Sequence, residues 1–288
     1  MNKVKNYRNY KEKRPKITFE SLTLKSPKIS TNINKRDRFS IIVPYRNRLE
    51  HLYKFIDYMD DFFKGIPEVE IIIVEQSDDN QKFNRGALLN IGSYYAFDTF
   101  HAVYVINHDV DLLPDNNMLP YYLYPTRNKP VHLGWRWKEK YNFNSYLGGV
   151  FSISKHIYNK IRGYPNQFWG WGGEDDALYN RLAKHNIIVL RPTTGSYRSL
   201  PHEHLGDDKK QHKQKQASIL QDFRNIHTNK TNNKTNNKTN NKTNNKTNDK
   251  IQNKQNFYTI KKVEDLSKNK YKHKIIKIVV DLHKSNKK

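Results

Sequence analysis

The middle of the chain alternates two hydrophobic signatures. Phe39–Val43 (FSIIV) is a short apolar run ending at Pro44, which predicts a strand covered on both faces. Over Arg48–Phe63 the apolar positions Leu49, Leu52, Tyr53, Ile56, Met59 and Phe63 recur every three to four residues, which predicts a helix. Glu70–Val74 (EIIIV) predicts a second strand. Phe83–Tyr95 predicts a second helix, with Ala87, Leu88, Ile91 and Tyr95 on one face. Ala102–Ile106, Tyr146–Ile153 and Ile187–Leu190 read as further strands, and Lys155–Ile161 and Asp175–His185 as further helices. Strand and helix in alternation define an α/β domain with a mainly parallel central sheet. In such sheets ligands bind beyond the carboxyl ends of the strands.

Two regions break this pattern. Thr231–Lys250 is a tetrad repeat, TNNK four times and then TNDK, without one apolar residue. It has nothing to bury against its ordering entropy, which predicts disorder. Beyond it, Phe257–Val263 and Ile275–Leu282 are again strand-like and need a sheet to join. The expected layout is therefore a basic, flexible extension over 1–36 and one domain over 37–283. A disordered insertion at 229–254 interrupts that domain, and a basic tail follows at 284–288.

Charge sharpens this division. The 288 residues carry 52 Lys+Arg against 28 Asp+Glu, a net charge of +24. Residues 1–36 hold 11 basic and 2 acidic groups, and residues 229–288 hold 17 and 4. The body between them holds 24 and 22, which makes it nearly neutral. A nucleic-acid-binding fold carries its basic stripe on the fold itself, so specific nucleic-acid recognition is not expected. The chain has no cysteine, which excludes disulfides, thiolate metal sites and cysteine nucleophiles. No stretch approaches the roughly 18 apolar residues of a membrane helix. The N-terminus is charged without an apolar core, so it does not read as a secretory signal. These features together set the expectation of a cytoplasmic location.

Polar residues gather after the predicted strands. Pro44, Tyr45, Arg46, Asn47 and Arg48 follow the first strand, and the two arginines could fork onto phosphate. Phe83, Asn84 and Arg85 offer an aromatic face for a base and another cation. Asp109-Val110-Asp111 follows the third strand. Alternation there would send both carboxylates to one side, with Val110 buried opposite. Such a pair suits a divalent cation clamped to a nucleotide-sugar diphosphate, or else a plain Asp-rich turn ending at Pro114. His202 and His204 would lie on one side of an extended segment, and two imidazoles with a carboxylate suit Mn²⁺ better than Mg²⁺. Glu174-Asp175-Asp176 opens a helix after Trp169-Gly170-Trp171-Gly172-Gly173. Acids are favoured at a helix N-terminus. Three together repel, however, and a carboxylate beside tryptophans could deprotonate a sugar hydroxyl.

In order and spacing, the segments PYRNR, FNRGALLNIG, HDVDLLP, YLGGVFSISK and FWGWGGEDDALYNRL resemble the successive signatures of the β-1,4-galactosyltransferase family, from about Phe39 to His204. HDVDLLP, RPTTGSY, the His202/His204 pair and the two tail strands are most similar to its xylosylprotein branch. The resemblance implies a GT-A glycosyltransferase fold, UDP-galactose as donor and Mn²⁺ as cofactor. It implies Asp111, His202 and His204 as metal ligands and Asp175 as catalytic base. It implies donor contacts from Pro44 to Arg48, from Phe83 to Arg85, and from Asp109, Val110, Tyr146 and Trp171. Trp171, Gly173, Glu174 and Asp176 would contact acceptor or sugar hydroxyls. The acceptor would be a glycan or glycoconjugate, xylose-like or other. One base without a second nucleophilic carboxylate implies inversion. The rival readings are the same fold with another UDP-sugar, a sugar-binding module with a dead donor site, and a polyanion binder working through its flanks. The intact acidic and histidine motifs argue against the second, and the near-neutral body against the third.

Overall fold

The computed structural model describes residues 10, 14–24, 37–124, 126–137, 144–170, 172–201, 217–222, 257–268 and 270–283. The TNNK tract and the basic tail at 284–288 lie outside them. Strand β2 (Phe39–Tyr45) is buried at every position. Its odd-numbered residues Phe39, Ile41 and Val43 share a core with helix α1 (Leu49–Phe62). Its Ile42 points to the opposite core with helix α2 (Arg85–Thr99). Strand β3 (Val69–Gln76) repeats the division, with Ile71 and Ile73 on one side and Ile72 and Val74 on the other. Two-fold alternation thus covers both sheet faces with helices, and the strands read as unbroken apolar runs.

The central sheet is completed by β4 (Tyr104–His108), β6 (Val150–Ser154), β9 (Tyr258–Asp265) and β10 (Lys274–Leu282), in the order β6-β4-β2-β3-β10-β9. Strands β4, β2, β3 and β10 run parallel; β6 and β9 are antiparallel to their neighbours at the two edges. The two C-terminal strands therefore join the same sheet as the N-terminal ones. Helix α3 (Lys155–Ile161) follows β6 directly, its start capped by Ser154 Oγ accepting from Ile157 N. Helix α4 (Glu174–Lys184) packs Leu178 and Leu182 into the α2-side core.

Several expectations shift. Leu49 and Tyr53, placed on the core face of α1 by spacing, are 60% and 50% exposed; Phe55 and Phe62 are buried instead. The third strand begins two residues later than its apolar run, so Asn107 and His108 lie within it, fully buried. The strand expected over Tyr146–Ile153 starts only at Val150, after Gly149 at φ +78°.

The largest correction concerns 1–36. Strand β1 (Phe19–Leu22) pairs in parallel with β7 (Val189–Pro192), and Ile17 is buried. That part of the basic extension is packed into the domain. Its one short apolar-polar run lacks a readable period, because β1 is made by its partner rather than by its own pattern. A short pair, β5 (Leu112–Pro114) with β8 (Tyr197–Ser199), runs antiparallel just beyond β4.

Candidate active site

The carboxyl end of β4, the start of α2 and the start of α4 converge on one arginine. Arg85 opens α2, and Asn84 caps that helix by accepting from Ala87 N at 3.0 Å. From there Arg85 Nε donates to Asp109 Oδ1 at 2.8 Å. Its Nη1 reaches Asp175 Oδ1 at 3.1 Å and Glu174 Oε1 at 3.4 Å. One largely buried cation thus gathers three carboxylates from two elements, and their field raises the Arg85 pKa against its partial desolvation. Burial and the neighbouring Glu174, Asp109 and Asp176 push Asp175 up to about 8, with Arg85 pulling the other way. The Asp175 side chain remains 27% exposed, open to a hydroxyl from solvent.

Gly173, at φ +95°, precedes α4 and turns the chain so that all three acids fall in its first turn. Their repulsion is relieved separately. Arg85 takes Glu174 and Asp175, while Arg14 of the N-terminal segment takes Asp176 at 3.3 Å. Arg14 also lies 4.3 Å over the Tyr179 ring. The free oxygen of Asp175 faces Gly148: a Cβ there would stand 2.6 Å from Oδ2 and 2.7 Å from the Tyr146 ring. Only glycine permits that approach.

Asp109-Val110-Asp111 is a turn closed by Leu112 N on Asp109 O, not a strand continuation, so alternation does not govern it. The two carboxylates go to different arginines, Asp109 to Arg85 and Asp111 to Arg48 at 3.3 Å. Val110 is nevertheless buried. Beneath the turn, fully buried His108 places Nδ1 2.8 Å from the Asp109 carbonyl and Nε2 2.7 Å from Tyr122 Oη. A carbonyl only accepts, so Nδ1 carries the proton and Tyr122 donates to Nε2. Burial lowers the His108 pKa to about 4, which keeps the ring neutral. Leu200 N donates to Asp111 O at 2.7 Å, so the β5–β8 pair delivers the end of β8 to the turn.

The other candidate donor contacts have local partners. Pro44 and Tyr45 belong to β2 and are buried, and Tyr45 Oη accepts from Arg48 N. Asn47 takes a left-handed φ of 50° between the two arginines. Arg46 donates to Gln81 O at 2.7 Å and pairs with Asp78, clamping the loop after β3. Phe83 is half-buried against the α2-side core. Asn84 is the α2 cap. Tyr146 is buried against His132. Trp171, His202 and His204 lie outside the described residues. Among the described residues, no three His, Asp or Glu side chains gather as a metal cluster. Arg14 was not singled out by sequence, Gly148 only as part of the Tyr146–Gly149 segment, and Arg85 as a further cation and an implied donor contact rather than as the hub of three carboxylates. Burial is not visible in a sequence, so Arg14 gave no signal; the paired glycines Gly148-Gly149 shortly after Tyr146 were the available one.

A GT-A-type α/β fold, with carboxylates and cations at the carboxyl ends of its parallel strands, defines a glycosyltransferase class. Two family models match the chain, "N-terminal region of glycosyl transferase group 7" over residues 2–123 and "N-terminal domain of galactosyltransferase" over residues 130–203. β-1,4-Galactosyltransferase 7 of Drosophila melanogaster is 34% identical over 182 residues, covering 62% of this chain and 56% of that protein. β-1,4-Galactosyltransferase 4 of Rattus norvegicus is 32% identical over 205 residues, covering 66% and 57%. The crystal structure of the catalytic domain of Drosophila β-1,4-galactosyltransferase 7 with xylobiose matches at TM-score 0.64 and 25% identity, over 86% of this chain and 95% of that one. A variant of that enzyme, in complex with manganese, UDP-Gal and xylobiose, matches at TM-score 0.62. The chain belongs to the β-1,4-galactosyltransferase family, a family of glycosyltransferases. It spans about half the length of the curated relatives it matches. Those relatives are Golgi membrane-anchored enzymes, which overturns the expected cytoplasmic location. No helix among the described residues is long and apolar enough to cross a membrane.

Proposed function

We propose that this chain transfers galactose from UDP-galactose to a hydroxyl of a carbohydrate acceptor, with inversion and in β-1,4 linkage. The observation that carries the reading is the Arg85-centred cluster, which holds one oxygen of Asp175 and leaves the other toward Gly148. In this reading the acceptor oxygen attacks the anomeric carbon as the bond from that carbon to the diphosphate oxygen breaks. The acceptor proton passes to Asp175 Oδ2, and UDP leaves on the opposite face. Arg85 keeps Asp175 oriented and offsets the charge of Glu174 and Asp109. The raised pKa of Asp175, set by burial and the neighbouring carboxylates, makes it a stronger proton acceptor than a free carboxylate. Glu174, 4% exposed, would grip a sugar hydroxyl only at its edge, and Asp176 is already engaged by Arg14.

Asp111 would hold Mn²⁺ with His202 and His204. One carboxylate and two imidazoles are a donor set that suits this ion. The chain length supports the fit: Leu200 N is bonded to Asp111 O, and from Leu200 the chain to His202 spans at most about 7 Å and to His204 at most about 14 Å. When bound, the ion supplies positive charge against the diphosphate of the donor. Arg48, with its side chain 41% exposed beside Asp111, would meet the same phosphates. Trp171 and Tyr146 would line the donor sugar, and Trp171 and Gly173 the acceptor. Relatives crystallised with xylobiose support a xylose-bearing acceptor. The test is a panel of UDP-sugars, with and without Mn²⁺, against xylosides and other glycans. Transfer from UDP-glucose or a UDP-N-acetylhexosamine in preference to UDP-galactose would replace the donor assignment.

A further inference from the structure

Strands β1 and β7 run parallel, and Val131 bridges β7 to β6, pairing in parallel with Leu190 and antiparallel with Ser152. Because β6 is antiparallel to β4, β7 and β1 share the direction of β4. Their carboxyl ends therefore open on the same edge of the sheet as Asp109 and Asp111, the edge where ligands bind in this architecture. A cavity of about 330 Å³ lies along these two strands, reaching from Phe19 and Glu20 at the start of β1 to Arg191 and Thr193 at the end of β7, with Trp135 and Arg136 completing its lining.

Its chemistry is that of an anion receptor. Arg191 is 7% exposed, and its guanidinium is stacked between the Phe19 ring at 3.4 Å and the Trp135 ring at 3.9 Å. Its Nη2 donates to the carbonyls of Asn144 at 2.7 Å and Tyr146 at 3.4 Å, while its Nε has no hydrogen-bond partner. Among the described residues no carboxylate pairs with Arg191 or with Arg136, whose Nε donates to Gly195 O at 2.7 Å. The acid in the lining, Glu20, is taken by Lys129 at 2.5 Å. Buried cations are ordinarily paired, and leaving one unpaired is costly. Burial accordingly lowers the Arg191 pKa to about 10. Two unpaired arginines with aromatic walls in one cavity are built for a planar or tetrahedral oxyanion.

We infer that this cavity is an oxyanion subsite, which takes a carboxylate or sulfate carried by the acceptor beyond the sugar that receives galactose. The acceptor role rests on the function proposed above; the anion pocket does not. Arg191 links the two places, since it bonds the carbonyl of Tyr146, two residues before the Gly148 that faces Asp175.

Two measurements on the full chain test this. The first is thermal unfolding in sodium sulfate against sodium chloride at equal ionic strength, without donor or metal. Sulfate stabilises any folded protein somewhat; it should raise the melting temperature of the wild type clearly more than that of Arg136→Gln, where glutamine retains a donor for the Gly195 carbonyl. Equal protection by both salts, or undiminished sulfate protection in Arg136→Gln, overturns the pocket. The second compares KM for a xyloside bearing a carboxylate with its uncharged amide. The carboxylate should bind about tenfold better, as charge-assisted hydrogen bonds imply. Arg136→Gln should abolish that advantage while KM for UDP-galactose stays unchanged. Identical KM values in the wild type overturn the acceptor role. Sulfate protection without any galactosyl transfer would instead overturn the proposed function and leave the pocket standing.

Discussion

Arg85 holds Asp175 by one oxygen: Nη1 lies 3.1 Å from Oδ1, and Oδ2 is left against the bare backbone of Gly148. That asymmetry separates two jobs within one carboxylate. One oxygen anchors the side chain, and the other remains to accept a proton. Acids at the start of a helix need no such anchor to be stable, since the helix dipole already favours them.

Asp175→Asn should lower turnover by about 10²–10⁴-fold with little change in donor affinity, because the amide lacks a basic oxygen. The same substitution should raise thermal stability. The folded-state pKa of Asp175 is raised from 3.8 to about 8, so its ionisation opposes folding. That opposition is absent below pH 3.8, grows between there and pH 8, and is constant above. The gain from asparagine should follow the same window, as read by melting temperature against pH. A simple capping role forecasts the reverse, a loss of stability with catalysis per folded molecule intact.

Arg85→Gln should destabilise the protein, because it leaves Asp109, Glu174 and Asp175 close together with no shared cation. Protonation relieves such a cluster, so the loss should be smaller at pH 5 than at pH 8. The acid limb of kcat/KM should also move to higher pH. Melting curves at the two pH values, with a pH–rate profile, check both points. A destabilisation independent of pH would mean that the carboxylates are not coupled through Arg85.

Gly148→Ala should leave the fold largely intact and depress turnover by about 10²-fold, the scale of a 1 Å misplacement in an active site. The new methyl would stand 2.6 Å from Asp175 Oδ2, so one of the two must move. Single-turnover rates beside a circular-dichroism melt distinguish this from global unfolding. Normal turnover would show that Oδ2 is not the reacting oxygen.

Much of this site could be read from the chain, and the unread part has a common cause. The β2, β3, α3 and α4 segments announce themselves because their apolar positions match their burial, and the acidic motifs sit beside the ends of such elements. Spacing also marks α1 and α2 as helices but misplaces their buried faces: Leu49 and Tyr53 are exposed, and α2 is buried all round from Gly86 to Ser93. Periodicity fails where a segment is shaped by a distant partner. Strand β1 exists because β7 lies beside it, and Arg14 matters because Asp176 is 162 residues away. Alternation misled at Asp109-Val110-Asp111 because the strand had already ended at His108. Arg46, Arg48 and Arg85 read alike as phosphate cations. Only the folded chain separates a loop clamp, a partner of Asp111 and the hub of three carboxylates.

Asp111→Ala should abolish the Mn²⁺-dependent part of UDP binding without unfolding the domain. Titration of UDP calorimetrically, with and without Mn²⁺, measures that increment. An unchanged increment would remove Asp111 from the metal set.

The most direct test of the central claim is the product itself. The chain is incubated with UDP-galactose, Mn²⁺ and a xyloside or other glycan acceptor, and the new linkage is read by the anomeric proton coupling in NMR. The account predicts galactose in β linkage, formed by the wild type and lost in Asp175→Asn. An α-linked product, or equal transfer by Asp175→Asn per folded molecule, would contradict it.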